Sequence, residues 1–100
     1  MKKLLTPIAL FLSIAVVYAA EKGTWTGWIS DSKCGANGAK EGHVDCAKKC
    51  VKEGAAPVVV IDKKVYTITN PEKATDFLGE KVSVTGTITD DKIEIEKISK

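Results

Sequence analysis

The sequence contains no arginine and few aromatic residues. The residue types that are absent or rare exclude several classes of protein. All 15 basic residues are lysines, and Phe, Trp and Tyr make up 6% of the 100 residues. Eight glycines are too few for a collagen-like repeat, and 44% hydrophobic residues are too many for a disordered chain. A chain of this length builds one small domain, which also excludes a doubly wound cofactor-binding sheet.

The motifs of several chemistries are missing as well. The sequence has no glycine-rich phosphate loop, no C-x-x-C redox pair and no C-x-x-C-H haem attachment motif. No pair of carboxylates can be assigned to one cleft. No orienting residue or oxyanion donor accompanies a cysteine–histidine pair for acyl chemistry. We therefore predict that the protein is not an enzyme.

Residues 1–19 have the pattern of a secretory signal peptide. Lys2 and Lys3 precede an apolar run and then small residues, which are the successive parts of such a signal. Val17 and Ala19 suit the positions before a cleavage site, so we predict cleavage after Ala19. The apolar run is short for a membrane span of about 20 residues, which disfavours a retained anchor. The mature protein is predicted to be periplasmic or secreted by a bacterium, with no membrane anchor.

Removal of this leader makes the chain neutral. The formal net charge of +2 includes Lys2 and Lys3, so 13 of the 15 lysines remain, against 13 acidic residues. A neutral chain without arginine lacks the positive charge that nucleic-acid binding requires. We predict no nucleic-acid partner, which leaves a protein or a small molecule.

Residues 20–100 predict one mainly β domain. Alternating apolar and polar residues or short apolar runs predict five strands, at 24–30, 58–61, 65–69, 82–89 and 93–96. Lys63 and Lys64 are predicted to form the turn between the second and third strands. Ile98 is out of phase with the last strand, so a bulge or strand end is expected near Lys97.

Two helices are predicted between these strands. The first, at 44–53, is amphipathic, and the second follows Asn70 and Pro71, a pair typical of a helix start, and ends before Gly79. Without the first helix the order is β-β-β-α-β-β, which favours an OB-like five-stranded barrel. The loop and helix at 31–54 are then inserted after the first strand. An open antiparallel sheet with two packed helices is the alternative.

Three cysteines and the single histidine form the most informative pattern, C-x8-H-x2-C-x3-C. On a helical wheel His43, Cys46 and Cys50 fall within a stripe of about 60°, and Cys34 comes from the preceding loop. Thiolates and imidazole are ligands of zinc and also suit copper. Cys34, His43, Cys46 and Cys50 are therefore a candidate site for a zinc or copper ion.

A disulfide between Cys34 and either Cys46 or Cys50 is the competing interpretation. A mature domain of about 80 residues often needs a staple, and an oxidising compartment favours a disulfide. Closing a loop of 12 or 16 residues would contribute about 3 kcal/mol in the chain-entropy model. Free thiols and thiol-redox chemistry at Cys46 and Cys50 are further alternatives.

Three aromatic residues are candidates for a binding surface. Trp25, Trp28 and Tyr66 lie on predicted strands and could contact a partner protein or small ligand on the barrel face. The competing interpretation places them in the core and at the lip of the barrel.

The segments GWISDSKCG, HVDCAKKCVKEGAAPVVV, VYTI and GEKVSVTGTI together resemble a group of small exported bacterial proteins of unknown function. That group shares G-W-x-S-D-x-x-C-G, a histidine and a C-x-x-x-C helix ahead of a β-rich half. The resemblance implies that Cys34, Gly35, His43, Cys46 and Cys50 form a unit and favours the metal interpretation. It implies no reaction. The insert GANGAKEG is a departure from the pattern and is expected to loosen the geometry of the unit.

Overall fold

The structure is a computed structural model that describes residues 20–100, so the predicted signal peptide at 1–19 lies outside the described residues. Within residues 20–100 the chain forms five strands and one α-helix, with three short 3-10 turns between them. The strands are β1 (Glu21–Asp31), β2 (Pro57–Ile61), β3 (Lys64–Ile68), β4 (Lys81–Thr89) and β5 (Lys92–Ser99). The helix is α1 (Val44–Lys52), and the 3-10 turns are Gly35–Gly38, Pro71–Lys73 and Thr75–Phe77.

The five strands close into a barrel in the order β1-β2-β3-β5-β4. The long strand β1 closes it, because Trp28 pairs with Val60 of β2 on one side and with Lys81 of β4 on the other. All pairs are antiparallel except the short parallel pair of β3 and β5. Within residues 20–100 each strand therefore pairs with a neighbour on both sides, although β3 and β5 share only two residue pairs. The predicted small five-stranded barrel is confirmed, and the open-sheet alternative is wrong.

The hydrophobic core fills the inside of the barrel. Ile29, Val59, Val84, Ile93 and Ile95 are each 2% exposed or less. They come from four different strands, and Ile29 lies directly opposite Val59 in the β1–β2 pair. Alternate residues therefore point inward, as the sequence pattern of β4 and β5 predicts.

The second predicted helix is wrong. The segment forms two separate 3-10 turns instead, and the Asn70 side chain does not cap a helix. Its Nδ2 donates to the carbonyl of Ile95 at 2.7 Å, and its Oδ1 accepts the Ile95 N–H at 2.9 Å. Because the amide group pairs with β5 in this way, Asn70 holds the segment against the barrel.

The turn between β2 and β3 lies one residue earlier than predicted. Asp62 and Lys63 have positive φ angles of 50° and 69°, and Lys64 already pairs with Ile61. Two successive left-handed residues form the turn that matches the twist of a two-stranded hairpin. The sequence pattern missed it because neither residue is glycine or asparagine.

The irregularity expected near Lys97 is confirmed. Thr85 lies opposite Lys97 while the next residue, Gly86, lies opposite Ile95, so Glu96 has no partner on β4. A Cβ atom at Gly86 would collide with the carbonyl of Glu94. Glycine therefore permits the close approach of the two strands beside the bulge.

Candidate metal centre

Asp31, the last residue of β1, shapes the loop that carries Cys34. The Asp31 side chain is buried, and its Oδ1 atom accepts the N–H of Lys33 at 3.0 Å and that of Cys34 at 2.8 Å. An aspartate that accepts the N–H groups two and three residues later forms a tight side-chain-stabilised turn. The turn fixes the direction in which the chain leaves the barrel and so positions Cys34.

The glycine-rich insert packs tightly on this turn. The Ser30 hydroxyl donates to the carbonyl of Gly35 at 2.9 Å. A Cβ atom at Gly38 would collide with the Ser30 hydroxyl and would lie 2.7 Å from Nε2 of His43. The insert was expected to loosen the geometry of the cysteine and histidine unit, and this expectation is wrong. Because Gly38 has no side chain, the loop backbone approaches His43 directly.

Helix α1 supplies the other cysteines. It begins after His43 and buries Ala47 and Cys50, while Cys46, about one turn before Cys50, is exposed. The start of the helix lies against Gly79, where a Cβ atom would collide with the backbone of Val44. The helix is therefore seated on the barrel by a backbone-to-backbone contact, which determines the position of its cysteines.

The Sγ atoms of Cys34, Cys46 and Cys50 all lie within 4.8 Å of one another, and we call these residues the thiol cluster. Their exposure differs: Cys46 is exposed, Cys34 is half-buried and Cys50 is buried. All three are free thiols, without the bond of about 2.05 Å that joins the sulfurs of a disulfide. Around a tetrahedral ion with Zn–S bonds of about 2.3 Å, sulfurs lie about 3.8 Å apart. The spacing of the cluster is compatible with metal ligands.

His43 belongs to a second, overlapping group. Its Nε2 atom lies 3.3 Å from Oδ2 of Asp31, and both side chains are buried. Ligand atoms of Asp31, His43 and Cys34 all lie within 4.8 Å of one another. The predicted set of four is thus divided: the three cysteines converge, and His43 joins them through Cys34 while it contacts Asp31.

Asp31 is the site residue that sequence reasoning missed. It sits at the end of a strand, three residues before a cysteine, in the segment SDSKC. An aspartate at that position, followed by residues typical of a turn, is the signal that could have identified it.

The electrostatics of the site keep a buried carboxylate charged and buried thiols neutral. Burial raises the pKa of Cys50 to about 11, and the negative charge of Asp31 and the neighbouring cysteines act in the same direction. Burial and Asp31 also raise the pKa of Cys34. For Asp31, burial favours a higher pKa, but hydrogen bonds from Cys34, His43 and Lys33 outweigh it and lower the pKa.

These pKa shifts bear on the chemistry of the cluster. Thiol nucleophiles need a lowered pKa, whereas the Cys34 and Cys50 thiols hold their protons more firmly than usual. A bound cation reverses this, because a metal ion displaces the thiol proton and stabilises the thiolate. The raised pKa values argue against Cys34 and Cys50 as thiolate nucleophiles, and the convergence of the three sulfur atoms is what favours metal binding.

The predicted aromatic binding residues Trp25, Trp28 and Tyr66 have different surroundings. Trp25 and Tyr66 pack against the barrel core, and the ammonium group of Lys64 lies 5.1 Å from the centre of the Tyr66 ring. Trp28 lines a groove of about 460 Å³ on the outside of the barrel, next to the glycine-rich loop. A binding surface that uses all three stays a prediction.

Searches against protein-family profiles, curated proteins and solved structures found no match to this chain. Among residues 20–100, no helix is both long enough and apolar enough to cross a membrane.

Proposed function

We propose that the protein is an exported, non-catalytic binding module that holds one zinc or copper ion in its thiol cluster. One observation carries the proposal: Cys34 on a loop and Cys46 and Cys50 on a helix converge to within 4.8 Å. Thiolates are preferred ligands of zinc and copper(I). A metal bound by a loop and a helix would also stabilise a domain too small for a large core.

The surroundings of the cluster support this proposal. Asp31 binds the backbone of the Cys34 loop through one oxygen and contacts His43, at the start of α1, through the other. The carboxylate therefore links the two segments that carry the cysteines. Metal ligands are commonly held in place by such outer hydrogen bonds, and their loss weakens metal binding.

We also propose that the barrel is OB-like. The strand order β1-β2-β3-β5-β4 and the pairing of β1 with both β2 and β4 support this. Barrels of this kind commonly serve as scaffolds for binding sites, which agrees with a binding role.

A disulfide-stapled module that binds a protein or small ligand beside Trp28 is the second candidate. The groove at Trp28 favours it, because its lining includes charged groups of both signs, Asp62 with Lys63 and Lys81, that could orient a polar ligand. In this alternative a bond from Cys34 to Cys46 or Cys50 would replace the metal as the staple.

The test is a metal titration of residues 20–100, the chain expected after removal of the signal peptide. The protein is first reduced and freed of metal, and the titration is carried out in the absence of oxygen. Zinc and copper(I) are added in separate experiments. Copper binding is followed by the thiolate-to-copper absorption in the ultraviolet, and zinc binding is followed by competition with a chelating dye. We expect one ion per chain and a loss of affinity in Cys46→Ser. Lys49→Ser, an exposed change on the same helix, is the matched control. Failure of both ions to bind at micromolar concentration would contradict the proposal.

A further inference from the structure

We propose that the thiol cluster selects copper(I) over zinc. This inference rests on the proposed function, since it names the ion that the same site takes. The observation behind it is the composition of the cluster: three sulfur atoms converge, while the His43 nitrogen and the Asp31 oxygen form an overlapping group with Cys34 alone.

The donor set lacks a fourth ligand among residues 20–100. No histidine nitrogen or carboxylate oxygen lies within 4.8 Å of all three Sγ atoms. Zinc in structural sites is almost always tetrahedral with four protein ligands. Copper(I) is soft, is selected by thiolates and forms stable complexes at low coordination number. A site made of sulfur alone therefore favours copper(I).

Two contacts occupy the Nε2 edge of the His43 ring. Nε2 lies 3.3 Å from the Asp31 carboxylate. The backbone at Gly38 covers the same edge of the ring, since a Cβ atom there would lie 2.7 Å from Nε2 and 2.9 Å from Cδ2. A ring enclosed on this edge and 6% exposed has little room to turn toward the sulfurs. We assign His43 as a positioning residue that ties α1 to Asp31.

The exposure of the sulfurs gives the ion a route to the site. Cys50 is buried and Cys34 is half-buried, whereas Cys46 is exposed at the surface of α1. An incoming copper(I) complex meets Cys46 first, and each new sulfur–copper bond replaces a bond to the carrier ligand. The displaced thiol protons pass to solvent, and the copper keeps its oxidation state throughout.

The test compares the two ions on the processed, reduced chain without oxygen. Copper(I) is supplied as its bathocuproine disulfonate complex and zinc as its pyridylazoresorcinol complex, and X-ray absorption at each metal edge identifies the bound atoms. We expect a copper shell of sulfur alone that equimolar zinc does not displace. In Cys46→Ser, a change at an exposed position, the number of sulfur ligands falls by one. In His43→Gln the copper shell still contains sulfur alone, and the affinity falls about 10- to 100-fold, as expected for the loss of an outer contact.

The outcomes separate this inference from the proposed function. An imidazole ligand in the copper shell, or replacement of copper(I) by equimolar zinc, would overturn selection of copper while leaving a metal-binding module. If neither copper(I) nor zinc binds, both this inference and the proposed function are overturned. An unchanged sulfur number in Cys46→Ser would exclude Cys46 as a ligand and overturn the inference of a three-sulfur site.

Discussion

The carboxylate of Asp31 lies 3.3 Å from the ring of His43, and both side chains are buried. The other oxygen of Asp31 accepts the N–H of Cys34 at 2.8 Å. Asp31 therefore connects the loop of Cys34 to the start of the helix that carries Cys46 and Cys50. If the thiol cluster binds a metal, its affinity depends on a residue that is not a cysteine.

Replacement of this carboxylate tests the connection. In Asp31→Asn one of the two oxygen acceptors becomes an N–H donor, so the link between the Cys34 loop and His43 is weakened, and we expect metal affinity to fall about 10- to 100-fold. Asp45→Asn, an exposed change in the first turn of α1, is the control. Affinity is measured by competition with a chromophoric chelator.

A double-mutant cycle then shows whether Asp31 acts through Cys34. We expect Asp31→Asn to have almost no further effect on affinity in a Cys34→Ser background, because contacting residues that act as a unit are not additive. Equal effects in the two backgrounds would show that Asp31 influences the metal by another route.

The buried carboxylate also predicts a change in acid stability. The pKa of Asp31 is lower in the folded protein than its ordinary value of 3.8. Its contribution to stability is therefore complete above about pH 4 and is lost as the pH falls through the folded pKa. Thermal unfolding of the metal-free protein between about pH 5 and pH 2 should show this loss, and Asp31→Asn should lack it. Parallel stability curves for the two proteins would refute the assignment.

Thiol reactivity should follow burial. Because the pKa of Cys50 is raised to about 11 and its side chain is buried, we expect Cys50 to be alkylated last by iodoacetamide at pH 8 and the exposed Cys46 first. Peptide mapping after timed quenching measures the order. Bound metal should slow the alkylation of all three cysteines. Rapid modification of Cys50 in the folded, metal-free protein would mean that its thiol is accessible and ionised.

The loop at Gly38 should not accept a side chain. In Gly38→Ala the new methyl group meets the Ser30 hydroxyl and the His43 ring, and such overpacking costs about 1–3 kcal/mol. We expect a lower free energy of unfolding and a weaker metal site. Ala36→Ser, an exposed change in the same 3-10 turn, is the control. Chemical denaturation of the metal-free protein separates the effect on folding from the effect on metal affinity.

The barrel and helix α1 were predictable because their signals are local and periodic. Val82 and Val84 alternate with polar residues in β4, and both are buried. The second helix failed because the partner of Asn70 is Ile95, which lies far along the chain on β5. No local rule could anticipate that the Asn70 amide would bind a strand instead of capping a helix.

The site was predictable only in part for a related reason. The helical wheel places Cys46 and Cys50 on one side of α1, and their convergence follows from it. The same wheel places His43 beside them, but His43 precedes the helix with φ −99° and ψ 3°, so helical periodicity does not govern the direction of its side chain. The contact with Asp31 depends on how α1 sits on the barrel, which is a property of the tertiary fold.

The mass of the intact processed chain, combined with a count of its free thiols, tests the central claim most directly. The account predicts one bound metal ion under native conditions, its loss on acidification, and reaction of all three cysteines with a thiol reagent afterwards. A metal-free chain that is lighter by the mass of two hydrogen atoms and has a single reactive thiol would contradict it. That result would identify the cysteines as a disulfide staple.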